Sequence, residues 1–285
     1  MISVFAESSP TIHVAPAHIF TLGGFSITNS ILYGWIVSLL LIIGLIYLAR
    51  RITLKPQGGV AQYIEAGVDF ATNLVEGAFT DKSIGRKYVP FFVTLFFFIL
   101  LNNWAGLIPI VGEGLQSHGH PLFRPMTGDL NATLAMGLIT MIVVYVASIR
   151  EVGGLGAYVK HFFIGSPLNP LYLVIGLIEM MTDLTRVLSL SLRLFLNVTI
   201  GEIVIAVFAF LGGALLPGSL LAPFVALPFT LLELGVGALQ AYIFVILGVN
   251  YLAISVNAAQ GHLDLTEDDA PETIELTRAS GTASS

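Results

Sequence analysis

Cysteine and charge are the two things this sequence has least of. None of its 285 residues is a cysteine, which excludes disulfides, thiol catalysis and cysteine-ligated metal sites. Only 11% of the residues are charged and 55% are hydrophobic, whereas soluble domains carry roughly 25% charged residues. So much apolar surface must face lipid. The net charge of −6 is no sign of a nucleic-acid partner, because the acids cluster near the C-terminus.

Five apolar segments are long enough to cross a bilayer, which takes about 20 helical residues. They lie at 31–49, 88–107, 130–149, 170–212 and 229–257. The fourth would be about 60 Å long at about 1.5 Å per residue, so we expect it to be broken or strongly tilted. A stretch rich in glycine and proline then turns the chain before the fifth. The sequence predicts an all-α, multi-pass membrane protein whose last two helices form a long tilted hairpin.

An amphipathic pattern between the first two spans predicts one further helix. Within residues 60–81, apolar side chains recur near helical spacing at Ile64, Val68, Leu74, Val75 and Phe79. Such a pattern is typical of a helix on the membrane surface. A helix that faces a protein partner explains it equally well.

Basic residues in the connecting loops predict the orientation. Two connections on one side hold Arg50, Arg51, Lys55, Lys82, Arg86, Lys87, Arg150 and Lys160. The opposite side holds Arg124 alone. With five crossings, we expect the N-terminus outside and the C-terminus in the cytoplasm. No basic run precedes the first apolar stretch, so we do not expect a cleaved signal peptide.

The chain has no repeat of fixed period. We expect residues 1–260 to form a single membrane domain. Residues 261–285 are rich in Ser, Thr, Asp and Glu, which is typical of a disordered segment. The sequence therefore predicts an acidic cytoplasmic tail.

Two arginines, Arg186 and Arg193, lie inside apolar runs. An arginine at the bilayer centre costs on the order of 3 kcal/mol or more, so it must face protein or water. At about 100° per helical residue, Glu179, Arg186 and Arg193 share one stripe. Asn197, four residues beyond Arg193, extends the stripe, and Glu202 lies on the opposite face.

The last span carries a second polar stripe. Glu233 and Gln240 are seven residues apart on one face, among small residues that let helices approach closely. The hairpin thus offers a permanent cation on one stripe and buried carboxylates elsewhere. This is the minimum needed to move an ion across a membrane in two half-crossings, with a positive barrier between them.

The segments SLSLRLFLNVTIGE (189–202) and LQAYIF (239–244) resemble the signature of the a subunit of F-type ATP synthases. NNWAGLIP (102–109) and DLNATLA (129–135) are similar to that family's middle helices. The elements occur in the family's order, and the resemblance covers roughly residues 20 to 260.

The resemblance implies roles for individual residues. Arg193 matches the essential arginine that faces the ring of c subunits, and Asn197 and Gln240 match the polar positions that accompany it. Glu202 and Glu233 match positions that line an aqueous half-channel.

Two further matches and two departures complete the comparison with that family. Ser189 matches a small polar position one turn before the arginine, and Glu179 matches an upstream acidic position. Leu196 stands where many members have glycine, which could alter packing against the ring. Gly106 occupies a position where some members have an aspartate.

The function implied by the resemblance is that of a stator ion channel. Two half-channels would deliver protons or Na⁺ to and from c-ring carboxylates, which couples ion flow to rotation and ATP synthesis. The chain would have no catalytic site, cofactor or metal of its own. The expected partners are the c ring, b-type peripheral stalk subunits, the remaining synthase subunits indirectly and the lipid of the inner or plasma membrane.

Other interpretations stay open at this point. A stand-alone secondary transporter or channel also uses polar, interrupted helices, although no inverted repeat is visible. Arg193 could be a structural ion pair, and Arg186 could serve packing. Glu179 and Asp183 could be acids that complement a helix dipole. An H-E-x-x-H motif and a P-loop are both absent from the sequence, which argues against an enzyme of either type.

Overall fold

Six helices dominate the part of the chain that the structure describes. The computed structural model describes residues 18–22, 25–50, 59–108, 111, 116–117, 120–121, 123–151, 153–154, 170–215 and 222–268. The helices are α1 (Asn29–Ala49), α2 (Val60–Glu76), α3 (Lys82–Gly106), α4 (Leu130–Glu151), α5 (Pro170–Leu215) and α6 (Leu227–Asp268). Short 3₁₀ helices cover Met126–Gly128 and Ala222–Val225.

Two small antiparallel hairpins accompany the helices. Strand β1 (His18–Leu22) pairs with β2 (Phe25–Thr28), directly before α1. Strand β3 (Gln116–Ser117) pairs with β4 (His120–Pro121) in the connection from α3 to α4. Both hairpins lie outside the long apolar helices, so they do not alter the fold class.

Five of the described helical segments are long and apolar enough to cross a membrane. They are Asn29–Tyr47, Lys82–Gly106, Leu130–Glu151, Leu184–Leu215 and Leu227–Asn257. This confirms the all-α, multi-pass membrane fold expected from the apolar runs.

The last two helices form a long antiparallel hairpin. The rings of Phe208 and Phe229 stack 3.7 Å apart near its closed end, and the Arg186 guanidinium lies 4.7 Å from the Tyr251 ring centre further along. Helix α5 runs unbroken for 46 residues, or about 69 Å. Because it has no break and exceeds a bilayer of roughly 30 Å, so long a helix must either tilt strongly or extend beyond the membrane.

Helix α6 extends to Asp268, past residue 260, where the tail is predicted to begin. Residues 269–285 lie outside the described part of the chain. The division into a membrane domain and a disordered tail therefore stays a prediction.

The core lies where α3 and α6 meet, with α4 and α5 alongside. Its fully or almost fully buried apolar side chains include Phe92, Ile99, Leu190, Leu194, Phe244, Val245, Val249 and Leu252. Gly248 of α6 packs against Phe92 and Thr140. A Cβ added at Gly248 would lie only 3.2 Å from a side-chain carbon of each. Small residues let membrane helices come this close without a solvent-driven hydrophobic force.

Helix α2 docks on the helices that form the core. Ala71 and Val75 are fully buried, and the Phe70 ring lies 6.2 Å from Phe96 and 6.0 Å from Tyr242. The opposite side of α2 remains exposed, with Tyr63 prominent.

Gly137 is a point where α4 and α5 touch closely, and we expect Gly137→Val to destabilise the fold. A Cβ there would overlap the Ser191 hydroxyl and lie 3.3 Å from the Val187 carbonyl oxygen. Overpacking of this kind costs about 1–3 kcal/mol. The yield of monodisperse protein after size-exclusion chromatography in detergent should fall several-fold. The control is Gly44→Val in α1, where nothing lies within 4 Å; equal yields from both variants would contradict the packing.

Candidate functional site

Arg193 lies on an exposed face of α5. Its Nη2 donates a long hydrogen bond of 3.5 Å to Ser189 Oγ, one turn earlier. Among the described residues, no carboxylate lies within ion-pair distance of its guanidinium. Besides the exposed Ser189, the exposed side chains around it include the apolar Leu188, Leu192, Leu196 and Ile200. The structure therefore gives no support to an internal ion pair and leaves Arg193 as a cation on an apolar face.

Asn197 and Gln240, the two polar residues expected to accompany Arg193, lie near it along the axis of α5 but form no hydrogen bond with it. Glu233 packs against Gly201, so the antiparallel register places Gln240, seven residues on, near the level of Leu194. Gln240 is only 4% exposed, and its Nε2 has no hydrogen-bond partner among the described residues. Asn197 is half-buried on α5. Within the described residues, no hydrogen bond joins Arg193 to either amide.

Glu202 and Glu233 meet in a small cleft between α3, α5 and α6. Its lining consists of Asn103, Gly106, Leu107, Pro125, Val198, Glu202 and Glu233. The Glu233 carboxyl rests on the backbone of Gly201, where an added Cβ would overlap it. Glu202 is half-buried, and its Oε1 lacks a hydrogen-bond partner in the described part of the chain. Two acids from two helices thus share one cleft.

The last turn of α3 fixes the cleft to α6 by side-chain hydrogen bonds. Asn103 Nδ2 donates to the Gly237 carbonyl at 3.1 Å, and Trp104 Nε1 donates to the Leu234 carbonyl at 3.0 Å. Asn102 Nδ2 bonds within its own helix, to the Phe98 carbonyl at 2.8 Å. The asparagines therefore have structural roles, and Asn103 also lines the cleft.

Arg124 lies beside the cleft, although its place in the sequence predicts only the single basic residue of an external connection. The structure leaves it 3% exposed. Its Nε lies 3.9 Å from Glu202 Oε2. The burial could not be deduced from the sequence, because Arg124 lies in a loop without periodicity. The one available signal was its isolation on the side that is otherwise free of basic residues.

The remaining candidate residues, Arg186, Glu179 and Asp183, all belong to α5. Arg186 stacks on Tyr251 of α6, which fits a packing role. Glu179 and Asp183 belong to α5, but their side chains lie outside the described residues. The described residues contain no group of three acids, histidines or cysteines that could hold a metal.

Comparison with known proteins places these features in a family context. The family model described as ATP synthase A chain matches residues 31–253. The ATP synthase subunit a of Moorella thermoacetica is 33% identical over 252 residues, which is 88% of this chain and 99% of that protein. The proteins of the same name from Myxococcus xanthus and Gloeobacter violaceus are 33% and 32% identical, over 85% and 80% of this chain and 77% and 83% of their own lengths. The matched range includes Arg193, both cleft glutamates and Gln240.

Proposed function

The chain belongs to the ATP synthase A chain family, and on this premise we propose which of its residues conduct the ion and which surface meets the rotor. Its function is that of the stationary, ion-conducting membrane subunit of a rotary ATP synthase, which couples ion flow to rotation and ATP synthesis. A stand-alone transporter is the weaker alternative, since family membership favours a part of this complex. ATP chemistry belongs to other subunits, and this chain contributes the ion path.

Arg193 carries the proposal, because it is an exposed cation on a largely apolar face and has no ion pair among the described residues. Facing a ring of c subunits, it favours the ionised form of an approaching ring carboxylate and so promotes ion release. Its fixed charge also repels an ion that tries to pass directly between the two half-channels. Arginine suits both roles, because burial does not neutralise it as it can neutralise lysine.

Glu202 and Glu233 form the half-channel on one side of Arg193. Glu202 lies nine residues along α5 from Arg193, about 14 Å along the axis and on the opposite face. The cleft is therefore offset from the arginine both in depth and in direction. An ion enters through these two acids and reaches a ring carboxylate at the level of Arg193 and Gln240. Asn197 and Ser189 belong to the polar set around Arg193. Glu179 lies nearer the start of α5, on the opposite side of Arg193 from Glu202 and toward the other half-channel.

We assign the cleft to the outside of the cell. The ion pairs Arg86–Glu76 and Lys87–Glu151, each 3.1 Å, lie at the start of α3 and the end of α4. The cleft lies at the other ends of these two helices. Because basic residues favour the cytoplasmic side, we propose that the N-terminus and the cleft lie outside and the C-terminus inside. Whether the ion is H⁺ or Na⁺ depends on the ring carboxylate.

The ring is proposed to roll against the exposed side of α5 around Arg193, and the b-type stalk subunits hold the chain still from elsewhere. The chain has no cysteine, so one introduced cysteine can carry a photo-cross-linker. Leu196→Cys, at a position 48% exposed beside Arg193, should capture the c-type proteolipid when the intact synthase is irradiated in membranes. Capture should be at least tenfold above background.

Ile139→Cys on α4 is the matched control, since that position is 55% exposed on a different helix. It should capture lipid or other subunits and not the proteolipid. If the cysteine at position 196 captures no proteolipid, or both positions capture it equally, the proposed rotor surface is wrong.

A further inference from the structure

The segment of residues 123–128 is held firmly between three helices. Pro125 sits over Gly106 of α3, where an added Cβ would be 2.7 Å from Pro125 Cγ, and Met126 fills the space beside Gly34 of α1. Gly128 faces α5, with Val198 Cγ1 3.7 Å from an added Cβ. Because Gly34 and Gly106 are residues of the helices themselves, the segment comes close to the backbones of α1 and α3, where it has little room to shift, whereas its contact with α5 is an ordinary van der Waals contact. Arg124 is therefore carried on a rigid support.

The burial of Arg124 demands a counter-charge. A guanidinium keeps its proton in proteins, and an isolated buried charge is very costly. Glu202 supplies a carboxylate for this charge, because its Oε2 lies 3.9 Å from Arg124 Nε. This separation is longer than a direct hydrogen bond, so the attraction acts through charge rather than through a fixed bond.

The other charged groups around Glu202 can be named from each neighbouring element. Helix α6 contributes Glu233, which acts on Glu202 as a like charge, and Arg124 is the nearby cation. Helix α3 contributes the uncharged Asn103. Asp129, which follows the segment, accepts hydrogen bonds from Ser30 Oγ at 2.6 Å and from the Asn131 amide at 3.0 Å. Asp129 is thus occupied in joining α1 to the start of α4.

We propose that Arg124 is a positioning residue of the cleft: its fixed charge orients Glu202 and favours the ionised form of that carboxyl, so that a proton arriving there is passed on and not retained. The inference rests on the proposed function, with H⁺ as the ion. Without this cation, Glu202 and Glu233 would share a proton, as neighbouring carboxyl groups do in low dielectric. Release of protons to the outside would then become slow.

The test uses the intact synthase in liposomes with its ATP-hydrolysing part outward, so that the outer cleft faces the lumen. Initial rates of ATP-driven proton uptake are measured at several luminal pH values and one external pH. In Arg124→Gln, the luminal pH that halves the rate should move upward by about 1–3 units, the usual effect of one charge at this distance. Arg124→Lys, which keeps the charge, should shift it by less. Arg86→Gln, which removes an exposed cation, should leave it unchanged.

A wild-type profile in an assembled Arg124→Gln complex would overturn the inference. Equal shifts in the Gln and Lys variants would also overturn it, because shape rather than charge would then matter. Should Arg124→Gln fail to assemble, complex yield decides. Glu202→Gln alone removes a carboxylate that faces a buried cation and should lower the yield several-fold, and Arg124→Gln/Glu202→Gln should restore it. A double variant no better than Glu202→Gln overturns the pairing.

Arg193→Ala, measured in the same liposomes, separates this inference from the proposed function. Normal pumping in that variant overturns the proposed function, whatever Arg124 does. Lost pumping in Arg193→Ala together with an unshifted profile in Arg124→Gln overturns only the role of Arg124.

Discussion

Arg193→Ala is expected to abolish ATP-driven ion uptake while the chain still inserts and the synthase still assembles. The side chain is exposed and makes one long hydrogen bond, to Ser189, so its removal leaves no buried group unpaired. What disappears is the charge that is proposed to promote ion release from ring carboxylates and to prevent a direct leak. The measurement is dye- or tracer-monitored uptake of H⁺ and Na⁺ by liposomes containing the complex. Uptake should fall to background.

Arg193→Lys sharpens this result. A lysine keeps the charge only while the proton stays bound, and desolvation against the ring favours the neutral form. We expect uptake at least tenfold below that of the unmodified complex, with more of the loss at higher pH. The matched control is Arg150→Ala, which removes an exposed cation from the last turn of α4 and should change uptake less than twofold. Normal uptake with Arg193→Ala would rule out the assignment of the rotor-facing cation.

The fold could be anticipated because lipid imposes a simple rule on sequence. A spanning segment must be long, apolar and helical, and each of α1, α3, α4, α5 and α6 contains such a run. The sequence was less informative about where the last helix ends, because α6 continues to Asp268 through residues whose composition predicts a polar tail. Composition alone cannot tell a polar helix from a disordered segment.

Candidate site residues could be predicted from the sequence only where a charged residue interrupts an otherwise apolar spanning segment. Arg193, Glu202 and Glu233 stand out because a charge inside an apolar helix is costly. Arg124 lies in a connection, where a charge costs nothing in principle, and only the packing of Pro125 and Met126 shows that it is buried. Tertiary contacts between distant segments, such as Arg124 with Glu202, have no counterpart in local periodicity.

Gly201→Ala adds a single methyl group, yet we expect it to disturb the proposed ion path strongly. It lies one residue before Glu202, and the Glu233 carboxyl rests on its backbone, so that a Cβ at this position would overlap the carboxyl. In Gly201→Ala, either the Glu233 carboxyl must move from its place against Gly201 or α5 and α6 must separate. Either response is expected to disturb the proposed path between the cleft and Gln240. ATP-driven uptake should therefore fall at least tenfold, although only one methyl group has been added.

Gly213→Ala in the same helix is the matched control, because nothing lies within 4 Å of its added Cβ. Alanine there should stabilise the helix by up to about 1 kcal/mol and leave uptake unchanged. A second change tests the cause of the loss: Glu233→Asp shortens the acid by one methylene, so Gly201→Ala/Glu233→Asp should recover part of the activity that Gly201→Ala loses. If Gly201→Ala pumps normally, Glu233 does not need its place against α5, and the cleft is not the ion path. If the loss persists unrelieved in the double variant, the methyl group acts by separating the helices and not by displacing the carboxyl.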